Sequence, residues 1–196
     1  MTVSGNHECF SEDWQRTNPD LVLYLPKEPS FWIEAVDHVL VEETPGGDLL
    51  AMFALCSQAH AIDYQVAYSR SSNGGLTWSD PGTIDGKGSK PGQVSAFGFP
   101  VMSHAGRIYC LYNHGRAIGD SYQTSFLRCK YSDDDGRTWI DGEVRIPYRP
   151  SALDHPDRSI GANCVVWQKP IRDAKDRPIV GFTRWANSYV KVARRE

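Results

Sequence analysis

Ser71-Ser72-Asn73-Gly74-Gly75-Leu76-Thr77-Trp78 and Ser132-Asp133-Asp134-Asp135-Gly136-Arg137-Thr138-Trp139 are two copies of one octad, Ser-x-Asp/Asn-x-Gly-x-Thr-Trp, starting 61 residues apart. Each recurring position has a mechanical job. The side chains of Asn73 and Asp134 can accept hydrogen bonds from their own turn backbone, as in an Asx-turn. Gly75 and Gly136 supply the positive φ that lets the chain reverse. Ser71 with Thr77, and Ser132 with Thr138, can tie the two limbs of the turn together. Trp78 and Trp139 are large enough to anchor it against a sheet.

Working outward, each octad follows short apolar or alternating runs bounded by Gly, Pro, Asn and Asp, the pattern of β-strands. The first unit reads as strands over 38–42, 49–56 and 64–69, the octad, then a weak return near 82–84. The second reads as 99–103, 107–113 and 125–131, the octad, then 143–146. Both units place a glycine just before the second strand, at Gly46-Gly47 and at Gly106. A third unit begins at 163–168, continues at 179–183 and reaches 188–192. No helical period of useful length appears. Four strands per unit at a period of about 60 residues is a propeller signature.

The octads resemble Asp boxes, the repeats of the sialidase (neuraminidase) superfamily of β-propellers, and Trp78-Ser79-Asp80-Pro81 fits the same family habit. The resemblance covers roughly residues 35 to 193 and departs from the family at Asn73, where Asp is preferred. It implies an all-β, sialidase-like propeller of six or seven blades when complete. On that reading residues 1–34 are an irregular lead-in, and blades span about 35–90, 95–150 and an incomplete 160–196. That makes about two and three-quarter blades, hence a piece of a longer protein. The alternative is a partial propeller completed by self-association. A piece should expose apolar side chains on the third unit, such as Val165, Val180 and Phe182.

The bulk composition excludes several classes. Net charge is −3 without a Lys/Arg-rich run, so nothing argues for nucleic acid. No run of 18 apolar residues is present, so no membrane-spanning helix is expected. Met1 to Trp14 is polar and acidic, unlike a signal peptide. The five cysteines show no CxxC spacing, and Cys56, Cys110 and Cys164 lie in strand-like runs, which reads as buried free thiols. Together these favour the cytoplasm. Asp133-Asp134-Asp135 is acidic but belongs to the octad, so no metal and no other cofactor is expected. Oligomeric state is left open.

The resemblance also says where chemistry should lie: where first strands open, and in loops after second strands, at one mouth of the central tunnel. Those positions carry His38, His60, Asp63 and Tyr64 in the first unit, and Asn113, His114 and Arg116 in the second. Asn163 opens the third. A sialidase would open its first blade with Arg-Ile-Pro, for bidentate binding of a carboxylate. Here Asp37-His38 stands in that place, and Arg145-Ile146-Pro147 falls after the second octad instead. Asp63 can take the place of the sialidase acid/base. The polysaccharide-lyase branch of such propellers carries out β-elimination on uronate chains. It needs a His or Tyr as base or acid, and Arg or Asn to neutralise the carboxylate. His38, His60, Tyr64 and His114 supply the first kind, and Asn113, Arg116 and Asn163 the second. The expectation is an enzyme acting on an acidic glycan, with elimination favoured over exo-α-sialidase hydrolysis. The alternative from another class is a non-catalytic glycan-binding propeller.

Overall fold

The structure, a computed structural model, describes residues 21–24, 35–56, 64–86, 93–103, 105–118, 121–142, 149–152, 154 and 163–185. Every regular element among them is a β-strand. The first sheet has the order β1 (Ala35–Glu43), β2 (Leu49–Cys56), β3 (Gln65–Ser71), β4 (Gly82–Asp85). The second has β5 (Gln93–Met102), β6 (Ile108–Ile118), β7 (Ser121–Ser132), β8 (Ile140–Gly142). All neighbours are antiparallel. The fourth strand of the second unit thus precedes the expected 143–146, which lies outside the described residues.

Strand alternation explains how these sheets stack. In β2, Leu50, Ala51, Met52, Phe53 and Ala54 are all fully buried, which one covered face cannot do. Leu50 and Met52 pack toward the second sheet, with Val66, Ile84, Ile108, Cys110 and Tyr112. Ala51 and Phe53 face the other way and are covered by Leu23 and Trp78, while Tyr24 stacks on Phe53 at 6.2 Å between ring centroids. The first sheet is therefore sandwiched between the second sheet and the segment 21–24. The buried Cys110 and Cys129 are free thiols, and burial raises the Cys110 pKa.

The third unit is a single interrupted hairpin. β9 (Asn163–Val165) pairs with β12 (Thr183–Trp185), and β10 (Ile171–Arg172) with β11 (Pro178–Ile179). Its turn repeats those of the first two units. In each, the first residue's N–H bonds to the carbonyl four residues on, and the fourth residue's N–H bonds back to the first: Thr44/Asp48, Ser103/Arg107, Asp173/Arg177. The fourth residue takes positive φ, at Gly47 (87°), Gly106 (80°) and Asp176 (59°). The third copy escaped the glycine pattern because aspartate tolerates the left-handed region.

Of the apolar residues expected to be exposed there, Phe182 is 51% exposed. Val165 is instead buried and Val180 packs against Phe99, Leu111, Cys129 and Val166. The hairpin places these two against the second sheet, and leaves Ile171 and Ile179 exposed in their stead.

The seam between the first two sheets is close. A Cβ on Gly98 would stand 2.5 Å from Val66 Cγ1 and 3.3 Å from Cys110 Sγ, both in the packed core. Gly98→Ala is expected to cost about 1–3 kcal/mol through overpacking, read as a lower urea midpoint. An unchanged midpoint would mean the sheets can separate at no cost.

Candidate functional site

Each octad closes the hairpin between the third and fourth strands of its sheet, at one end of the molecule. In the first, Asn73 Oδ1 accepts from Ser71 Oγ (2.9 Å) and Thr77 N (2.9 Å), and its amide donates to Thr77 Oγ1 (2.8 Å). Trp78 Nε1 donates to the Gly75 carbonyl (3.0 Å). In the second, Asp134 accepts from Ser132 Oγ (2.7 Å), Arg137 N (3.0 Å), Thr138 N (2.8 Å) and Thr138 Oγ1 (2.6 Å). Desolvation pulls the Asp134 pKa up, but the bonds from Thr138, Ser132 and Arg137 outweigh it and leave the carboxylate far below its ordinary range.

The second octad also reaches back to the first sheet. Asp135 Oδ1 accepts from Gly46 N (3.1 Å), Tyr68 Oη donates to the Arg137 carbonyl (3.1 Å), and Trp139 meets Tyr68 edge-on at 5.8 Å. Leu50 methyls lie 3.2 and 3.3 Å from where a Cβ on Gly136 would be, tighter than ordinary van der Waals contact. Leu21 and Leu49 take the same place beside Gly75. On the octad's outer side Arg107 clamps Asp133 with two hydrogen bonds (2.7 and 2.8 Å) and lies over the Tyr131 ring.

The opposite end of the two sheets gathers polar groups. Tyr64 precedes β3, Asp85 ends β4, Ser95 lies near the start of β5 and His114 is on β6 opposite it. The Tyr64 carbonyl accepts from Ser95 N at 3.0 Å. Ser95 Oγ is 2.9 Å from Asp85 Oδ2 and 3.1 Å from His114 Nδ1. His114 Nδ1 is 3.8 Å from the same Asp85 oxygen. Burial first, then the Asp85 charge, raises the Tyr112 pKa. Ser95 is 1% exposed, while the His114 side chain keeps 18% of its surface. Desolvation first, then the Arg128 charge, lowers the His114 pKa below its ordinary 6.5 against the opposing pull of Asp85. The imidazole is thus held neutral, partly open, and bonded on one side.

Sequence reasoning placed Asn113, His114 and Arg116 on a loop, but all three are in β6. Strand alternation then separates the first two. Tyr112 packs in the seam with the first sheet, Leu111 in the cluster with Val166 and Val180. His114 shares the Tyr112 face and contacts Asp85, whereas the fully buried Asn113 shares the Leu111 face. The two do not converge. His38 does not open its strand either, since β1 begins at Ala35. It falls in a bulge between Asp37 and Leu40. His38 takes φ 55° there, its ring nitrogens are shielded from solvent, and its ring meets Trp167 of the third unit edge-on at 6.2 Å. Strand β2 stands between His38 and Tyr64, a lateral spacing of about 10 Å, and the register offsets them further along the strands.

Asn163 opens β9 as expected. His60 and Asp63, like Arg145-Ile146-Pro147, lie outside the described residues. Asp85 and Ser95 were missed, and neither sits in a motif that marks it. Among the described residues no group of three or more His, Cys, Asp and Glu is placed to hold a metal. No helix among them is long and apolar enough to cross a membrane.

No protein-family model and no curated protein sequence matches the chain. Among solved structures it is similar to the Hadza microbial sialidase Hz136, at 15% identity and TM-score 0.58, over 76% of this chain and 32% of that one. It is also similar to a protein of unknown function from Dyadobacter fermentans, at 13% identity and TM-score 0.58, over 82% of this chain and 49% of that one. The chain thus spans about a third to a half of the length of these structures. At such identity the likeness is one of fold, and the fold is a sialidase-like β-propeller.

Proposed function

We propose that the chain is part of a carbohydrate-active propeller that cleaves an acidic glycan, by β-elimination in preference to hydrolysis, with His114 as the base. On this reading the octads are Asp boxes, residues 1–34 a lead-in, and 35–90, 95–150 and 160–196 successive blades. The observation that carries it is the partly exposed imidazole of His114, bonded through Nδ1 at the end of the sheets away from the octads. Its lowered pKa keeps it in the form that can accept a proton near neutral pH.

In the elimination, His114 takes the proton α to the uronate carboxylate. The C–H electron pair becomes the new C=C bond, and the glycosidic C–O bond breaks toward the leaving oxygen. That oxygen takes a proton from a second group, for which Tyr64 stands at the same end. Arg116 neutralises the carboxylate. Asn163, at the opening of the third unit, and His38 beside Trp167 serve as outlying sugar contacts.

The test is absorbance of an unsaturated uronate product from a uronate-containing polysaccharide, run beside an assay for free sialic acid. His114→Ala is expected to lower product formation by about a hundredfold or more at an unchanged thermal midpoint. His38→Ala should lower it less, since its nitrogens are shielded. Sialic acid release that survives His114→Ala would overturn elimination and make Asp63 the acid/base of an exo-α-sialidase. Glycan binding with neither product would make the protein a binding module.

A further inference from the structure

We infer that Asp85 and Ser95 are positioning residues that fix the tautomer of His114, so that Nδ1 carries the hydrogen and Nε2 presents the lone pair. This deepens the functional reading above but can be tested without it. The argument starts from the one group in the cluster that only accepts. A carboxylate at neutral pH has no hydrogen to give. With Ser95 Oγ 2.9 Å from Asp85 Oδ2, the hydroxyl hydrogen therefore points to Asp85. The same oxygen is then an acceptor toward His114 Nδ1 at 3.1 Å, and Nδ1 must carry the hydrogen. The chain of donation runs His114 Nδ1–H to Ser95 Oγ–H to Asp85 Oδ2.

Burial makes the direction hard to reverse. Ser95 is 1% exposed, so water does not readily replace either partner, and its own N–H is fixed to the Tyr64 carbonyl. Among the described residues, the charged groups that act on the imidazole are Arg128 on β7 and Asp85 on β4. An imidazole in water favours the other tautomer, with hydrogen on Nε2, which would leave the lone pair facing Ser95 and unable to reach a substrate. Two residues from two sheets thus orient one nitrogen, as second partners do for metal-bound and catalytic histidines.

The experiment is imidazole nitrogen NMR on the full chain with 15N-labelled histidine, the His114 signals identified by their loss in His114→Gln. The wild type should show a protonated Nδ1 and a bare Nε2 for neutral His114. Asp85→Ala frees the Ser95 hydroxyl to donate to Nδ1, so the tautomer should switch. Asp85→Asn keeps an acceptor oxygen and should preserve it. Ser95→Ala should also switch it, and Ser95→Thr restore it. A hydrogen on Nε2 in the wild type, or a tautomer unmoved by Asp85→Ala, would overturn the inference. Asp85 is partly exposed, so its variants keep the test open where Ser95→Ala does not fold. Elimination by a protein whose His114 carries its hydrogen on Nε2 would overturn the relay alone. The expected tautomer without any product would support the relay and overturn the functional reading alone.

Discussion

Replacing Phe99 by alanine is expected to lower stability by about 3–5 kcal/mol, the upper range for emptying a buried aromatic site. Phe99 is fully buried in β5. Its cluster draws on every unit of the chain: Leu40 from the first, Leu111 and Cys129 from the second, Val166 and Val180 from the third. Collapse around the hole is restrained because its walls come from three different units. Among the described residues, Val165, Val166 and Val180 carry the packing of the third unit, beside the contact of Trp167 with His38 and polar ties such as Lys169 to Glu42 and Arg172 to the Met102 carbonyl. Urea unfolding should therefore show both a lower midpoint and proteolytic release of the 163–185 hairpin before the rest. A loss below 1 kcal/mol, or a hairpin that stays protected, would refute this account of how the third unit is attached.

The second octad should be the acid-sensitive joint of the molecule and the first should not. Asp134 accepts four hydrogen bonds as a carboxylate, and its folded pKa lies below the ordinary 3.8. A depressed pKa means that the folded form prefers the charged group. The resulting stability is complete above about pH 4 and is lost as pH falls toward the folded value. Asn73 makes the corresponding bonds with an amide and does not titrate. Asp134→Ala is expected to cost about 2–3 kcal/mol at pH 7, within the range for losing hydrogen bonds to a charged group, and to flatten the acid limb of the stability curve. Asp134→Asn should flatten that limb while keeping much of the stability. Hydrogen exchange at Thr138 and Thr77 between pH 5 and 2.5 separates the two turns. Equal acid lability at both would show that the carboxylate is not the cause.

The fold was legible because the octads and the alternating runs are local signals. Each Ser, Asp or Asn, Gly and Thr acts within its own turn, so sequence spacing is enough to read it. The strand edges were less so. β6 extends to Ile118 although polar residues fill its end, since pairing with β7 rather than apolar burial defines that stretch. The site was read in part. His114 and Tyr64 come together, but through Ser95 and Asp85, whose meeting depends on how one sheet lies on the next. Nothing periodic announces such a contact. Asn113 was grouped with its neighbour by adjacency, when a strand sends adjacent side chains to opposite faces. The bulge that re-aims His38 is likewise set by pairing register.

The second octad reaches back toward the amino end. Asp135, Arg137, Gly136 and Trp139 engage Gly46, Tyr68 and Leu50 of the sheet made before it, and Gly75 of the first octad rests on Leu21, earlier still. Each octad thus lands on residues that precede it in the chain. Coupling passes from neighbour to neighbour as in other repeat architectures, and the order of the units along the chain is also the order in which a ribosome can lay them down.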